Sequence, residues 1–546
     1  MAERRAASQP GKLLSDHVAR EPKIGGYERR NLITASMTVL DQCYAHLRQK
    51  RTRYTIDPVN QLAKLHPRVG TMTQREFDEA ILGVYASLRD LHTGLRRSGP
   101  RGEATAVLPV LVERYVERSR GRPIAKFLVT KLADWADAGA LVEGSLLTYW
   151  NGIPIDIAVA RHSDRARGAN PDAKLARAMD TLTVRHLGDG MPPDEHWVDL
   201  RFETPDGEEG ETRLSWRVLS LGVPEGRSAV EEVFDLAAAP RPPFDRRLQL
   251  AFDPAGQSAQ QAKRALYASD KPSDVPTTLP NVFRATPRTF GRSTFGHIRV
   301  WSFMHEDPLE FATEFSRLAQ YFDGEGCKGL IVDIRANPGG YVASAEALLQ
   351  TLAPGPVLPA RFAFAPTKLT LQLCSNDPQL ADWRPSIEAA MDTGEPYSQS
   401  RAITDPNAPP VPRATDLPAV LIIDALAYSS ADIFAAGWVD NRVGTLVGTA
   451  STTGAGGANV WTYEQITARL DPEDSAFPPG LLGGTSLRVA VRRAVRSGDA
   501  DGLPIEDIGV TISDDQVHPL TRRDLLEGNH DLLQFAARKL MKGPDP

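Results

Sequence analysis

Cysteine is scarce: three residues, Cys43, Cys327 and Cys374, stand far apart in a chain of 546. They form no CxxC pair, which excludes a disulfide-built scaffold, and no Cys/His cluster has zinc spacing. The usage fits a reducing compartment. No run of about 18 apolar residues occurs, so no membrane-spanning helix is expected. The first thirty residues carry charge but no apolar stretch followed by small residues, so no secretory signal is read and a cytoplasmic location is the expectation. Basic excess is missing too. With 63 Lys and Arg against 69 Asp and Glu the net charge is -6, which argues against nucleic acid as a partner. No Gly-rich phosphate loop points to a nucleotide, so neither a cofactor nor a metal is expected. Lysine is absent between Lys368 and Lys539.

The length exceeds the roughly 250–300 residues at which one core divides, so several domains are expected. Residues 1–26 are polar and aperiodic and read as a mobile arm. Over 27–100 apolar residues recur three and four apart, as in MTVLDQCYAHLRQKR and TQREFDEAILGVYASLRDLH, which predicts a small helical domain. Thr73 and Glu76 are spaced as a capping box. Over 104–230 the runs VLPVLVERYVE, KFLVTKL, GSLLTYWNGIPI, WVDLRFETPDG and TRLSWRV predict a β-rich domain. Residues 231–292, rich in Pro, Ala and Gln, read as a linker or surface excursion. From 293 to 546 strands alternate with helices: GHIRVWSF, PLEFATEFSRLAQYF, KGLIVDIR, ASAEALLQTLA, AVLIID, ADIFAAGWVD, TLVG and a last helix, DLLQFAARKL. That alternation predicts an α/β unit with a largely parallel sheet.

Three places in it could do chemistry. In LIIDALAYSSADIF a buried strand ends, Ser429 and Ser430 form a tight turn, and a helix starts at once. A hydroxyl is thereby offered beside free helix N–H groups, which stabilise developing negative charge. A serine before a helix is equally the ordinary N-cap. In DIRANPGGY, Gly339 and Gly340 can turn backbone amides toward the same cleft, or simply make a tight turn. A serine needs a base. The lysine-free stretch supplies none nearby, which leaves the eleven histidines. His92, in LRDLHTG, stands where a helix ends, a position that the helix dipole favours for any histidine.

Together these segments resemble one family, the tail-specific or C-terminal processing serine peptidases. VDIRANPGG resembles its strand and turn. SSADIFAAGWVDN with GTLVGTASTTGAGG resembles its nucleophile segment, where a serine stands three residues before an acidic one; with Asp432 in the acidic place, Ser429 is selected. GLPIEDIGVTISDD resembles the late motif, GSLLTYWNGIPI a PDZ strand pair, and LRDLHTG the histidine motif of the tricorn-like branch. Ala455 falls where the bacterial branch has its catalytic lysine, and Leu91 where the tricorn-like branch has a second serine. Ser145 and Ser513 also depart from the family pattern.

The resemblance implies a ClpP/crotonase-like core, a PDZ-like domain, and a serine endopeptidase acting on peptide or unfolded protein. It implies Ser429 as nucleophile, His92 as base, Glu506 as acidic third member, and Gly339 or Gly340 with Ser430 as oxyanion donors. A Glu506 carboxylate beside His92 would place the acid limb of activity at roughly pH 6–7.5. A non-catalytic carrier of hydrophobic ligands on the same fold and an esterase or amidase of small substrates are the alternatives. A homo-oligomer is left open.

Overall fold

The apolar runs sort themselves onto two sides of one sheet. In the computed structural model, which describes residues 11–19, 23–97, 104–133, 135–188, 190–220, 274–280, 282–404, 409–470, 480–481 and 484–542, five strands lie in the order Phe283–Phe290, Ser293–Val300, Leu330–Asp333, Ala419–Ile423 and Thr445–Gly448. The first pair is antiparallel and the other three pairings are parallel. Alternate side chains leave opposite faces of a strand. Ile331, Val420, Ile422 and Val447 pack on Leu532, Leu533 and Ala536 of the last helix, His530–Lys542. Leu330, Val332, Leu421 and Ile423 face the other way, toward the helices Pro308–Gly324, Val342–Gln350 and Ser430–Asp440. Burial on both faces is why these strands lack polar alternation. The edge strand Phe283–Phe290 lies inside the stretch read as linker, so the sheet begins before residue 293. Residues 231–273 of that stretch lie outside the described residues.

The strand-like runs after residue 104 do form strands, and these pair antiparallel. Its larger sheet runs Glu209–Ser215, Trp197–Glu203, Leu146–Trp150, Arg122–Leu132, Val110–Ser119. Two helices, Ile155–Arg165 and Pro171–Thr181, also belong to it, although the strand reading named neither. The smaller sheet takes in the chain start: Lys12–Leu13 pairs with Arg217–Ser220, and Leu14 is buried beside Trp216. The part of the predicted mobile arm that is described is therefore seated, because Leu14 and the backbone of residues 12–13 find partners there.

The N-terminal helices do not close a core of their own. Leu32, Phe77, Ile81 and Tyr85 share one cluster with Phe364, Trp461, Leu487 and Val489. The helix Gln74–Ser87 begins at the Thr73–Glu76 capping box and is followed by the strand Gly94–Arg97, which pairs with Thr485–Val495. That ladder carries the loop holding His92 onto the α/β unit. No helix of the described residues is long and apolar enough to cross a membrane.

Candidate active site

Ser429 ends the turn after the strand Ala419–Ile423 and precedes the helix Ser430–Asp440. Its backbone lies at φ 61°, ψ −124°, outside the allowed basins of an L-residue. Such a conformation costs on the order of 1–3 kcal/mol and persists only where the surroundings impose it. Here the Tyr428 N–H is held by the Asn337 carbonyl at 2.9 Å, and the Ile433 N–H donates to the Ser429 carbonyl. The buried Asp432 takes the Ser429 N–H and also those of Ala455 (3.0 Å) and Gly456 (2.9 Å). Asp432 thus pins the Gly-rich turn beneath the nucleophile turn. Burial pushes its carboxyl up to about 7, against those bonds.

The Gly339–Gly340 turn sits directly against the serines. A Cβ at position 339 would stand 2.6 Å from Ser429 Cβ and 2.8 Å from Ser430 N, and one at 340 would strike the Phe303 backbone. Both glycines also have positive φ. Ser430 Oγ donates to the Gly340 carbonyl at 2.6 Å, which locks the two turns together. The Gly339 N–H is given to Asn337 Oδ1 at 2.9 Å, so close approach is what this glycine supplies. Among the described residues, the Gly340 and Ser430 amides have no such partner.

His92 is buried, and its ring lies 4.6 Å from that of Tyr428, the residue before Ser429. Neither ring nitrogen has a hydrogen-bond partner among the described residues. The nearest carboxylate oxygen is not on Glu506. Asp90 Oδ1 stands 3.9 Å from His92 Nδ1 and accepts the His92 N–H at 2.7 Å. Burial lowers the His92 pKa to about 4; Asp90 opposes the shift, while Arg488 and Lys50 add to it. Burial thus outweighs the neighbouring carboxylate, a direction opposite to the one from which an acid limb at pH 6–7.5 is expected.

Glu506 is buried behind this pair. It accepts from Lys50 Nζ at 2.6 Å and from the Gly457 N–H at 3.3 Å, and lies 3.9 Å from His46 Nε2. Lys50 also binds Asp507. No hydrogen bond or ion pair joins Glu506 to His92 among the described residues. Burial works against the charge on Lys50, but Glu506, Asp507 and Asp90 hold it protonated. Burial likewise pushes the Glu506 carboxyl up, with Lys50 opposing. His46, Asp90 and Glu506 bring ligand-type atoms within 4.8 Å of one another. The Lys50 ammonium already occupies Glu506, so the cluster is neutralised by a side chain and suits a metal ion poorly.

The structure thus brings together Ser429, Ser430, Gly339 and Gly340, sets His92 on the adjoining tyrosine, and places Glu506 apart from His92. Sequence reasoning missed Asp90, His46, Lys50 and Tyr428. Asp90 could have been found two residues before the histidine in LRDLHTG. His46 and Lys50 are four apart at the start of a helix, the spacing that puts two side chains on one face.

Ala455, the residue that the family resemblance sets at the lysine position, lies in the Gly-rich turn. It is fully buried at φ 61°, its N–H on Asp432 and its carbonyl accepting the Asp507 N–H. Ala455→Gly removes a left-handed alanine, and urea unfolding should show stability unchanged or raised by up to about 1 kcal/mol. Ala455→Lys has no space for its side chain, and loss of the folded protein is expected. A soluble, more active lysine variant would contradict this account.

A buried strand here runs into an imposed serine turn at a helix start, a setting that suits a serine-type peptidase, and the family match bears that class out. Residues 294–493 match the family model "Peptidase family S41", and the chain carries a domain of that family there, in keeping with the tail-specific peptidase resemblance. Its substrates are accordingly peptides or proteins. The fold is similar to the crystal structure of mature CPAF, with TM-score 0.64 and 18% identity over 95% of this chain and 97% of that one. It is equally similar to mature CPAF complexed with lactacystin, at TM-score 0.63 and 18% identity over 95% and 98%. No curated protein matches the chain.

Proposed function

We propose that this protein hydrolyses peptide bonds through an acyl-enzyme on Ser429, with His92 as general base. The observation that carries the reading is the imposed Ser429 backbone at a helix start, one residue from a tyrosine ring against which lies a histidine whose ring nitrogens have no hydrogen-bond partner among the described residues. Ser429 Oγ attacks the carbonyl carbon, and His92 takes its proton. The Gly340 and Ser430 amides receive the oxyanion; losing one such donor costs about 2.7–4 kcal/mol in the barrier. Collapse breaks the C–N bond, and the amine leaves with the proton from His92. Water then repeats the attack, releasing the acid and restoring Ser429. Glu506, engaged by Lys50, contributes from behind. The all-antiparallel segment is read as PDZ-like and the α/β unit as ClpP/crotonase-like.

A fluorophosphonate probe tests the reading. Labelling should map to Ser429 by mass spectrometry and vanish in Ser429→Ala. Folded protein that takes no label would favour a non-catalytic ligand carrier. Labelling without cleavage of peptide libraries would favour an esterase.

The pH profile follows from burial. His92 must be neutral to act, so kcat/KM should fall as pH drops through about 4 and show no limb near the unperturbed value of roughly 6.5. Stability has the opposite side to watch. His92 and His46, the latter lowered to about 3, are buried neutral, while in the unfolded chain they protonate near 6.5. The unfolded state then binds more protons below that value, so folding stability is full above it and declines as pH falls from roughly 6.5 toward 4. Circular dichroism run beside the assay separates the two; a limb near 6.5 in fully folded protein would refute the lowered value.

A further inference from the structure

The ring of Tyr428, the residue before the nucleophile, lies against the base, and a single carboxylate touches both the tyrosine and the base's loop. We propose that Asp90 is the positioning residue of the site, fixing His92 directly and Ser429 through Tyr428. The inference rests on the Ser429–His92 reading above.

Asp90 is completely buried. Its Oδ1 accepts the His92 N–H at 2.7 Å and the Tyr428 hydroxyl at 3.3 Å, and faces His92 Nδ1 at 3.9 Å. The Tyr428 oxygen in turn accepts the Leu91 N–H at 3.1 Å. The loop of the base and the side chain before the nucleophile are therefore tied at one point. The tyrosine ring cannot drift. His92 lies against it at 4.6 Å, and Gly456 runs so close to it that a Cβ there would fall 2.0 Å from the ring. Its backbone N–H is fixed on Asn337, and Ser429 follows at once. A shift of the Asp90 carboxylate moves the base and the nucleophile relative to each other. Productive attack depends strongly on that separation, since small misplacements of reacting groups lose large factors in rate.

Glu506 does not hold this position. Its oxygens are taken by Lys50 and the Gly457 N–H, and His46 and Asp90 are the cluster members beside it. When His92 becomes imidazolium the facing groups are Asp90, Arg488, Lys50, His46 and Tyr428, and Asp90 is the carboxylate among them.

The test compares Asp90→Asn, Tyr428→Phe and Glu506→Gln in the full chain, with Ser429→Ala and His92→Ala as references. Asp90→Asn keeps an acceptor oxygen for both hydrogen bonds and removes the charge. It should lower kcat roughly 10²–10⁴-fold, leave KM within about threefold, and move the acid limb of kcat/KM to lower pH, because nothing then favours the imidazolium. Tyr428→Phe keeps the ring and should lower kcat about tenfold; its effect should not multiply with that of Asp90→Asn, since both act through one contact. Should Asp90→Asn fail to fold, Tyr428→Phe carries the test alone: a kcat within twofold of the parent overturns the proposal. A folded Asp90→Asn with parental kcat and pH profile overturns it as well, as does a Glu506→Gln that moves the limb while Asp90→Asn does not. Fluorophosphonate labelling that survives Ser429→Ala would instead remove the Ser429 assignment on which the proposal rests, an outcome separate from these.

Discussion

Ser429→Ala is expected to lower kcat by roughly 10⁴–10⁶-fold, the loss seen when a nucleophile acts as one unit with its base. Folding should survive it. Ser429 makes no side-chain cap bond to the helix it precedes. Its unusual φ is imposed by neighbours that stay in place: Asn337 on the Tyr428 N–H, Asp432 on the Gly-rich turn, and Gly339 against the Cβ. Ser430→Ala is the control. It deletes the Oγ bond to the Gly340 carbonyl and should cost about 0.5–1.5 kcal/mol of stability with a far smaller fall in kcat, because its amide remains. An alanine enzyme at position 429 that kept more than a hundredth of the parental kcat, or an adduct found on Ser430, would show that the wrong serine was chosen.

The second large effect is on stability. Lys50→Met should destabilise the protein by about 3–5 kcal/mol, a large part of the roughly 5–15 kcal/mol that holds a domain folded. Lys50 is completely buried and its ammonium binds both Glu506 and Asp507. Methionine fills the space and supplies no charge, so buried carboxylates lose the cation that compensates them. The deficit should depend on pH in a definite direction. Deprived of Lys50, a buried carboxyl has its folded pKa above its unfolded one, so the folded state binds more protons and the penalty grows as pH rises through the folded value. Urea midpoints measured from roughly pH 8 down to 5 should therefore converge toward those of the parent as pH falls. A penalty under about 1 kcal/mol at pH 8 would show that the cluster is balanced in some other way.

What could be read from the sequence was whatever is encoded locally. The strands of the α/β unit announce themselves because both faces are buried, and Gly339, Gly340 and the Ser429 turn because tight approach restricts residue type. The Thr73–Glu76 cap is likewise a four-residue pattern. The surroundings of the acidic residues were another matter. Glu506 is named by motif, and its bond with Lys50, 456 residues away, is one that no periodicity records. The helices Ile155–Arg165 and Pro171–Thr181 were passed over within a run of strand signals. The sign of the His92 shift was lost for the same reason: a carboxylate nearby can be guessed from sequence, but complete burial of an imidazole cannot.

The separation of the base from the nucleophile has a consequence for how the protein is made. Leu91 and the Tyr428 hydroxyl that meets it are 337 residues apart, and Glu506 comes later still. At a translation rate of about 5–20 residues per second, some tens of seconds pass on the ribosome between the appearance of His92 and that of Ser429. Through that interval Leu32, Phe77 and Ile81 wait for Trp461, Leu487 and Val489, and Lys50 waits for its carboxylates. Until residue 429 and its surroundings emerge, the nascent chain is catalytically incomplete and its first helices lack the late partners that bury them.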